Sequence, residues 1–333
     1  MKAQASARTG TFTGVFAPAA MAGSAADRLV DALAGAHTGL LCAAVGLHVG
    51  AQVCRGLAWR GVLAAAWPGV TRRRACAWHV CGAGLTGVLS ARGGDAVRIA
   101  LAKRDLRGAS LPALAGTLAA EGSFETVFGL LVALVALRLG VGTVHAPSVA
   151  LLVALAVVLP LVVLLAVRCA RVRRIAREVG RGLSILRCPR AWAGQVLPWQ
   201  VAARVVRLGA AACFLLAFGL PVAPAIVIAA CAAQGSGGML PLPGAGPAAV
   251  AAAMLVALPM AAGHPIDHGS VAALAIVQPT LLTAVGAGLS VVLLAALSGA
   301  RTPRALLAAA RALRSQPAPA PAAPAPAPAT LAP

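Results

Sequence analysis

The chain has 333 residues, 60% of them hydrophobic and only 11% charged, with a mean hydropathy of +0.89. Soluble domains carry about 25% charged residues, so this composition excludes an ordinary water-soluble globule. The formal net charge of +20 invites a nucleic-acid reading, but the basic residues sit between apolar runs, where a positive-inside membrane protein keeps them, and no nucleic-acid partner is expected.

Apolar runs near 20 residues recur, and each is long enough to cross a hydrocarbon core of roughly 30 Å as a helix. With no tyrosine and 3% aromatics, a β-barrel with aromatic girdles is not expected. The expected fold is an all-α polytopic membrane protein with about seven transmembrane helices. Residues 1–36 read as a flexible or amphipathic N-terminal segment. The membrane domain covers 37–300, with halves at about 37–167 and 195–300 and a basic linker at 168–194.

The first span is predicted from about Thr38 to Trp59, ending in Arg55, Arg60 and the cluster Arg72, Arg73 and Arg74. The next apolar stretch, about 75–100, holds Gly82, Gly84, Gly87, Gly93 and Gly94. Glycine at that density weakens a helix, so a re-entrant hairpin or a broken helix is expected there. Spans near 112–138 and 147–167 close the first half. The second half reads as four apolar segments near 195–219, 222–240, 247–263 and 271–298. From 301 the chain is basic, then Pro/Ala-rich, the composition of a disordered extended tail. Twenty-four of the 28 Lys and Arg fall in 55–74, 92–107, 168–207 and 301–314, which share one side if 75–100 re-enters. That side and the C-terminus are expected to be cytoplasmic, in the cell membrane.

Charges inside apolar runs mark the candidate site. Glu121 and Glu125 lie four residues apart on one helix face within the span 112–138. An acid at a helix centre costs roughly 2.5–3.5 kcal/mol to insert, so the pair reads either as a polar groove or relay, or as two acids near the cytoplasmic end paired with arginines. Gly94 and Asp95 with Arg98 form a second candidate, an anion-gripping turn or a local ion pair. Arg204 and Arg207 either seek the two glutamates as partners or snorkel to the interface. The Gly/Pro-interrupted stretch at 235–247, with Pro241, Pro243 and Gly244, occupies a place in the second half similar to that of 82–95 in the first. Paired interruptions of this sort point either to a binding site in a transporter built from two pseudo-repeats or to two unrelated loops. The eight cysteines contain no CxxC pair, the six histidines have no metal spacing, and no Walker, GxSxG or HExxH pattern occurs. No cofactor and no metal are expected.

The stretch "RGLAWRGVLAAA" followed by "GLTGVLSARGGDAVRIALAKR" resembles the membrane region of lysyl-phosphatidylglycerol synthases and their stand-alone, flippase-like relatives. That family carries "Pro-x-Arg-x-Gly-Asp/Glu-x-x-Arg". Gly94, Asp95 and Arg98 match it, and Ser90 stands where proline is common. The family's next helix carries "Glu-Arg-x-x-Asp". Glu121 and Glu125 stand at its acids, and Gly122 replaces the arginine. "LPLPGAGPAAV" resembles a later family motif through Pro241, Pro243 and Gly244. Val250 stands where that motif has glutamate, and an arginine common near Gln278 is missing.

The resemblance covers about residues 38–300 and implies a lipid transporter that moves a polar headgroup between leaflets, with membrane lipids as partners. Its residues would be Gly94, Asp95, Arg98, Glu121 and Glu125, with Arg204 and Arg207 as charge partners and Pro241, Pro243 and Gly244 as a second-half site. Two alternatives stay open. One is an accessory subunit working with a synthase or lipid-linked transferase; the other is a non-transporting scaffold. No aminoacyltransferase domain is seen in the sequence, and transfer chemistry would need a base plus a donor site.

Overall fold

The computed structural model describes Asp31 and residues 34–89, 91–138, 170–235, 245–263 and 265–298. The span expected at 147–167, the tail from 301, and Ser90, Pro241, Pro243 and Gly244 lie outside the described residues. The chain divides into two compact units, Met1–Ser290 and Val291–Pro333; of the second, the end of one helix is described. All regular structure among the described residues is helical. In chain order the helices are α1 (Thr38–Ala66), α2 (Arg72–Leu85), α3 (Ala91–Asp105), α4 (Leu111–Arg138), α5 (Ala170–Gly182), α6 (Pro189–Gln195), α7 (Leu197–Ala217), α8 (Pro224–Gly235), α9 (Ala245–Ala262) and α10 (His268–Ser298).

Among the described residues three helical stretches are long and apolar enough to cross a membrane: Thr38–Ala66, Pro189–Ala217 and His268–Leu297. The apolar segments near 222–240 and 247–263 form shorter helices, α8 and α9. The stretch 75–100 is broken into two antiparallel helices, with Gly87 in the turn between them and its other glycines inside the helices. Gly82 and Gly84 lie inside α2, Gly93 and Gly94 lie inside α3, and the chain turns between Thr86 and Leu89. Thr71 caps α2 by accepting from the Arg74 N–H. The basic linker is also helical: α5 puts Arg173, Arg174 and Arg177 on exposed positions, and Pro189 starts α6.

α1 and α7 pack antiparallel, as successive contacts show. The His37 N–H donates to the Ala217 carbonyl at 2.9 Å at one end. A Cβ on Gly61 would lie 2.8 Å from the Gln195 carbonyl at the other. α2 and α3 form an antiparallel pair closed by glycine. A Cβ on Gly82 would stand 2.9 Å from Arg98 Cβ, and one on Gly94 would stand 2.8 Å from Thr86 Cγ2. α2 also touches α10 through Gly84 and Gly286, where a Cβ on Gly286 would lie 2.9 Å from Gly84 Cα. Ser290 Oγ donates across the same crossing to the Cys81 carbonyl at 3.0 Å.

One apolar core joins α7–α10 and the start of α1. Phe214, Leu215 and Phe218 meet Ile226, Met254, Leu258, Val271 and Leu274, with Ala44 filling the gap. Outside that core the usual order of polarity is inverted. Val205 is 62% exposed and Val256 is 61% exposed, while Glu121 is 2% exposed. Large apolar side chains facing outward around buried charge is the arrangement a lipid environment rewards and water penalises.

Candidate functional site

Four helices bring charge together. α1 contributes a stripe at helical spacing, His48, Gln52, Arg55 and Trp59; α3 contributes Asp95 and Arg98, α4 Glu121 and Glu125, and α7 Arg204 and Arg207. Arg98 Nε lies 3.0 Å from Asp95 Oδ1, and Arg98 Nη1 donates to Glu121 Oε2 at 2.8 Å. The other oxygen of Glu121 faces Arg55 Nη2 at 3.4 Å, and the same nitrogen lies 3.5 Å from Glu125 Oε1. The second oxygen of Glu125 pairs with Arg204 Nη2. The result is an alternating ladder, Asp95–Arg98–Glu121–Arg55–Glu125–Arg204, running across α3, α4, α1 and α7. Its three acids balance its three arginines.

Aromatic rings hold both ends. The Arg98 guanidinium stacks 5.1 Å from the Trp59 ring centroid, and that of Arg204 lies 4.8 Å from Phe128. Trp59 is fixed in turn, since its Nε1–H donates to Thr117 Oγ1 at 3.0 Å. Arg98 Nη1 also donates to His79 Nδ1 at 2.9 Å. An imidazole nitrogen that accepts from arginine carries no proton, so the His79 proton sits on Nε2, which is buried without a partner among the described residues.

Of the residues singled out in the sequence, Asp95, Arg98, Glu121, Glu125 and Arg204 stand in this ladder. Gly94 does not touch the charges; it lets α3 close on α2 and so sets the position of Arg98. Arg207 has no carboxylate partner among the described residues. It lines a small space of about 10 Å³ with His48, Gln52, Arg55 and Arg204. Arg55, the member that joins both glutamates, was counted with the basic helix end in the sequence. Its position on the stripe His48–Gln52–Arg55–Trp59 is the signal that identifies it. His79 and Thr117 have no comparable signal, since a single polar residue in an apolar run reads equally well as filler. The motif positions Val250 and Gln278 are buried, and neither amide atom of Gln278 has a partner among the described residues.

Among the described residues no group of three His, Cys, Asp or Glu is placed to hold a metal ion. No known protein family model matches the chain, and no curated protein and no solved structure matches it either.

Proposed function

We propose that this chain is a multi-pass cell-membrane protein that passes the polar headgroup of a phospholipid or polyprenyl lipid between leaflets, acting as a stand-alone member of the flippase-like family it resembles. The observation that carries this reading is the neutral, alternating ladder set between helices whose outer faces are apolar.

Depth supports the reading. At about 1.5 Å per residue, Glu121 lies about 15 Å along α4 from Leu111, and Arg55 lies about 16 Å along α1 from Ala66. With those helix ends, which carry the basic segments, set at the edge of a hydrocarbon core about 30 Å thick, the proposed depth of the ladder is near mid-membrane. Ionised groups at that depth are costly and are kept where they serve transport. A headgroup in bare hydrocarbon leaves its polar groups unpaired, at about 2–7 kcal/mol each; exchange of partners along the ladder would lower that cost while the acyl chains stay in lipid. The ladder opens at Arg55, whose contacts at 3.4 and 3.5 Å are longer than the 2.8 Å Arg98–Glu121 bond. A phosphate that takes the Arg55 guanidinium replaces two carboxylates with one bidentate partner.

The proposed topology has seven crossings: α1, α4, 147–167, α7, α8, α9 and α10. The antiparallel helices α2 and α3 form the proposed re-entrant element, entering and leaving together on the cytoplasmic side. Leaflet exchange of labelled lipid in liposomes holding the purified chain tests the function. Exchange at least tenfold above empty liposomes is expected, falling to background in Arg55→Gln and Glu121→Gln. Rates equal to empty liposomes reject it. A second reading, a non-transporting partner of a lipid-linked transferase, is favoured by Gly122, Val250 and Gln278 at charged motif positions. A co-purified transferase with no lipid movement would select it.

A further inference from the structure

A second polar site lies away from the ladder, at the end where α1 stops, α2 starts and α3 stops. A cavity of about 340 Å³ opens there between Ala66–Val70, Arg74, Trp78 and Asp105–Arg107. This volume falls in the range of small-molecule sites, about 300–1,000 Å³. Two indoles line it, Trp67 (8% exposed) and Trp78 (fully buried), and the Nε1–H of each is buried with no acceptor among the described residues. These N–H groups lie behind the cavity surface, so its wall here is indole ring.

The charge on the wall has the matching sign. Asp105 is neutralised by Arg104 at 2.9 Å, while Arg74 and Arg107 have no carboxylate partner among the described residues. The guanidinium of Arg181 lies over the Trp67 ring, 5.8 Å from its centroid. Two cations with no carboxylate partner among the described residues, Arg74 and Arg107, line one opening. Trp78 also packs edge-on against Trp59, which carries Arg98, at 6.4 Å, so the cavity shares a wall with the ladder without sharing its charges.

We infer that this cavity binds a phosphate group, gripped by Arg74 and Arg107 against a wall formed by Trp67 and Trp78. The phosphate comes either from an anionic lipid of the adjoining leaflet or from free inorganic phosphate. The inference stands beside the transport reading and uses none of its residues.

Calorimetric titration of the full chain in detergent tests it, with dihexanoyl phosphatidic acid, inorganic phosphate, and dihexanoyl phosphatidylcholine as the zwitterionic reference. Saturable binding of the phosphatidic acid above that reference is expected. It weakens at least tenfold in Arg74→Gln/Arg107→Gln. It stays unchanged in the mildly perturbed ladder variant Glu125→Gln, which keeps this result separate from any failure of lipid exchange. Inorganic phosphate that binds equally and competes marks free phosphate as the source; phosphatidic acid binding alone marks the lipid. The proposal fails if neither phosphate compound binds above the reference. It also fails if Arg74→Gln/Arg107→Gln binds like the parent chain while Arg74→Lys/Arg107→Lys confirms that both positions tolerate change.

Discussion

At the level of single side chains, the ladder turns one substitution into two defects. Glu121→Gln removes one of two carboxylate partners from each of Arg98 and Arg55, leaving three arginines of the ladder against two acids. Leaving a buried charge uncompensated costs about 3–5 kcal/mol, whereas replacing both members of a pair by apolar groups is often close to neutral. Thermal unfolding in detergent is therefore expected to show a large loss for Glu121→Gln and a much smaller one for Glu121→Met/Arg98→Met, a non-additivity that a double-mutant cycle measures. Glu125 is 29% exposed, so Glu125→Gln is expected to cost no more than about 1 kcal/mol. The same physics explains what the sequence disclosed. An acid or arginine inside an apolar run must find a partner, which made Asp95, Arg98, Glu121, Glu125 and Arg204 readable. Arg55 sits toward the basic end of its run and looked like an anchor. Trp59, His79 and Thr117 support the charges through rings and hydroxyls, and such residues are equally common in plain cores.

At the level of helices, the glycines between 82 and 94 sit at crossings. Their number suggested a weakened backbone, because one sequence cannot distinguish a glycine that breaks a helix from one that lets two helices meet. α2 and α3 each run through their glycines, and the break falls at Thr86–Leu89. The contrast is testable with two alanines. In Gly84→Ala the new methyl overlaps the Gly286 carbonyl and the Ser290 hydroxyl of α10, which predicts about 1–3 kcal/mol of destabilisation. In Gly46→Ala the methyl meets nothing within 4 Å, and alanine is the better helix former by about 0.5–1 kcal/mol. Melting temperatures in one detergent should move in opposite directions. Equal changes would mean that the α2–α10 crossing is not held by close approach. The helices of the linker, α5 and α6, were hidden for a different reason: a run rich in arginine advertises its charge more than its periodicity. Yet α5 docks on α4, where Ser110 Oγ donates to Glu178 at 2.7 Å.

At the level of the whole molecule, the basic segments gather at one end although they are distant in sequence. Trp67 follows α1 and meets Arg181 of α5; Arg74 of α2 and Arg107 after α3 line one cavity; Ser110 before α4 reaches Glu178 of α5. The opposite end of the α1–α7 pair, where His37 meets Ala217, carries no Lys or Arg nearby in either helix. An asymmetry of this kind orients a membrane protein with its basic end in the cytoplasm. Single cysteines in a background with the eight native ones replaced should report it. Cys188, retained alone on its exposed position in the loop between α5 and α6, should react with a membrane-impermeant maleimide only after cells are permeabilised. Val222→Cys, in the exposed turn after α7, should react on intact cells. Labelling of both from the same side would place α7 on one side of the bilayer. The ladder it helps to build would then lie outside the hydrocarbon, where its charges cost little and would need no lipid headgroup to account for them.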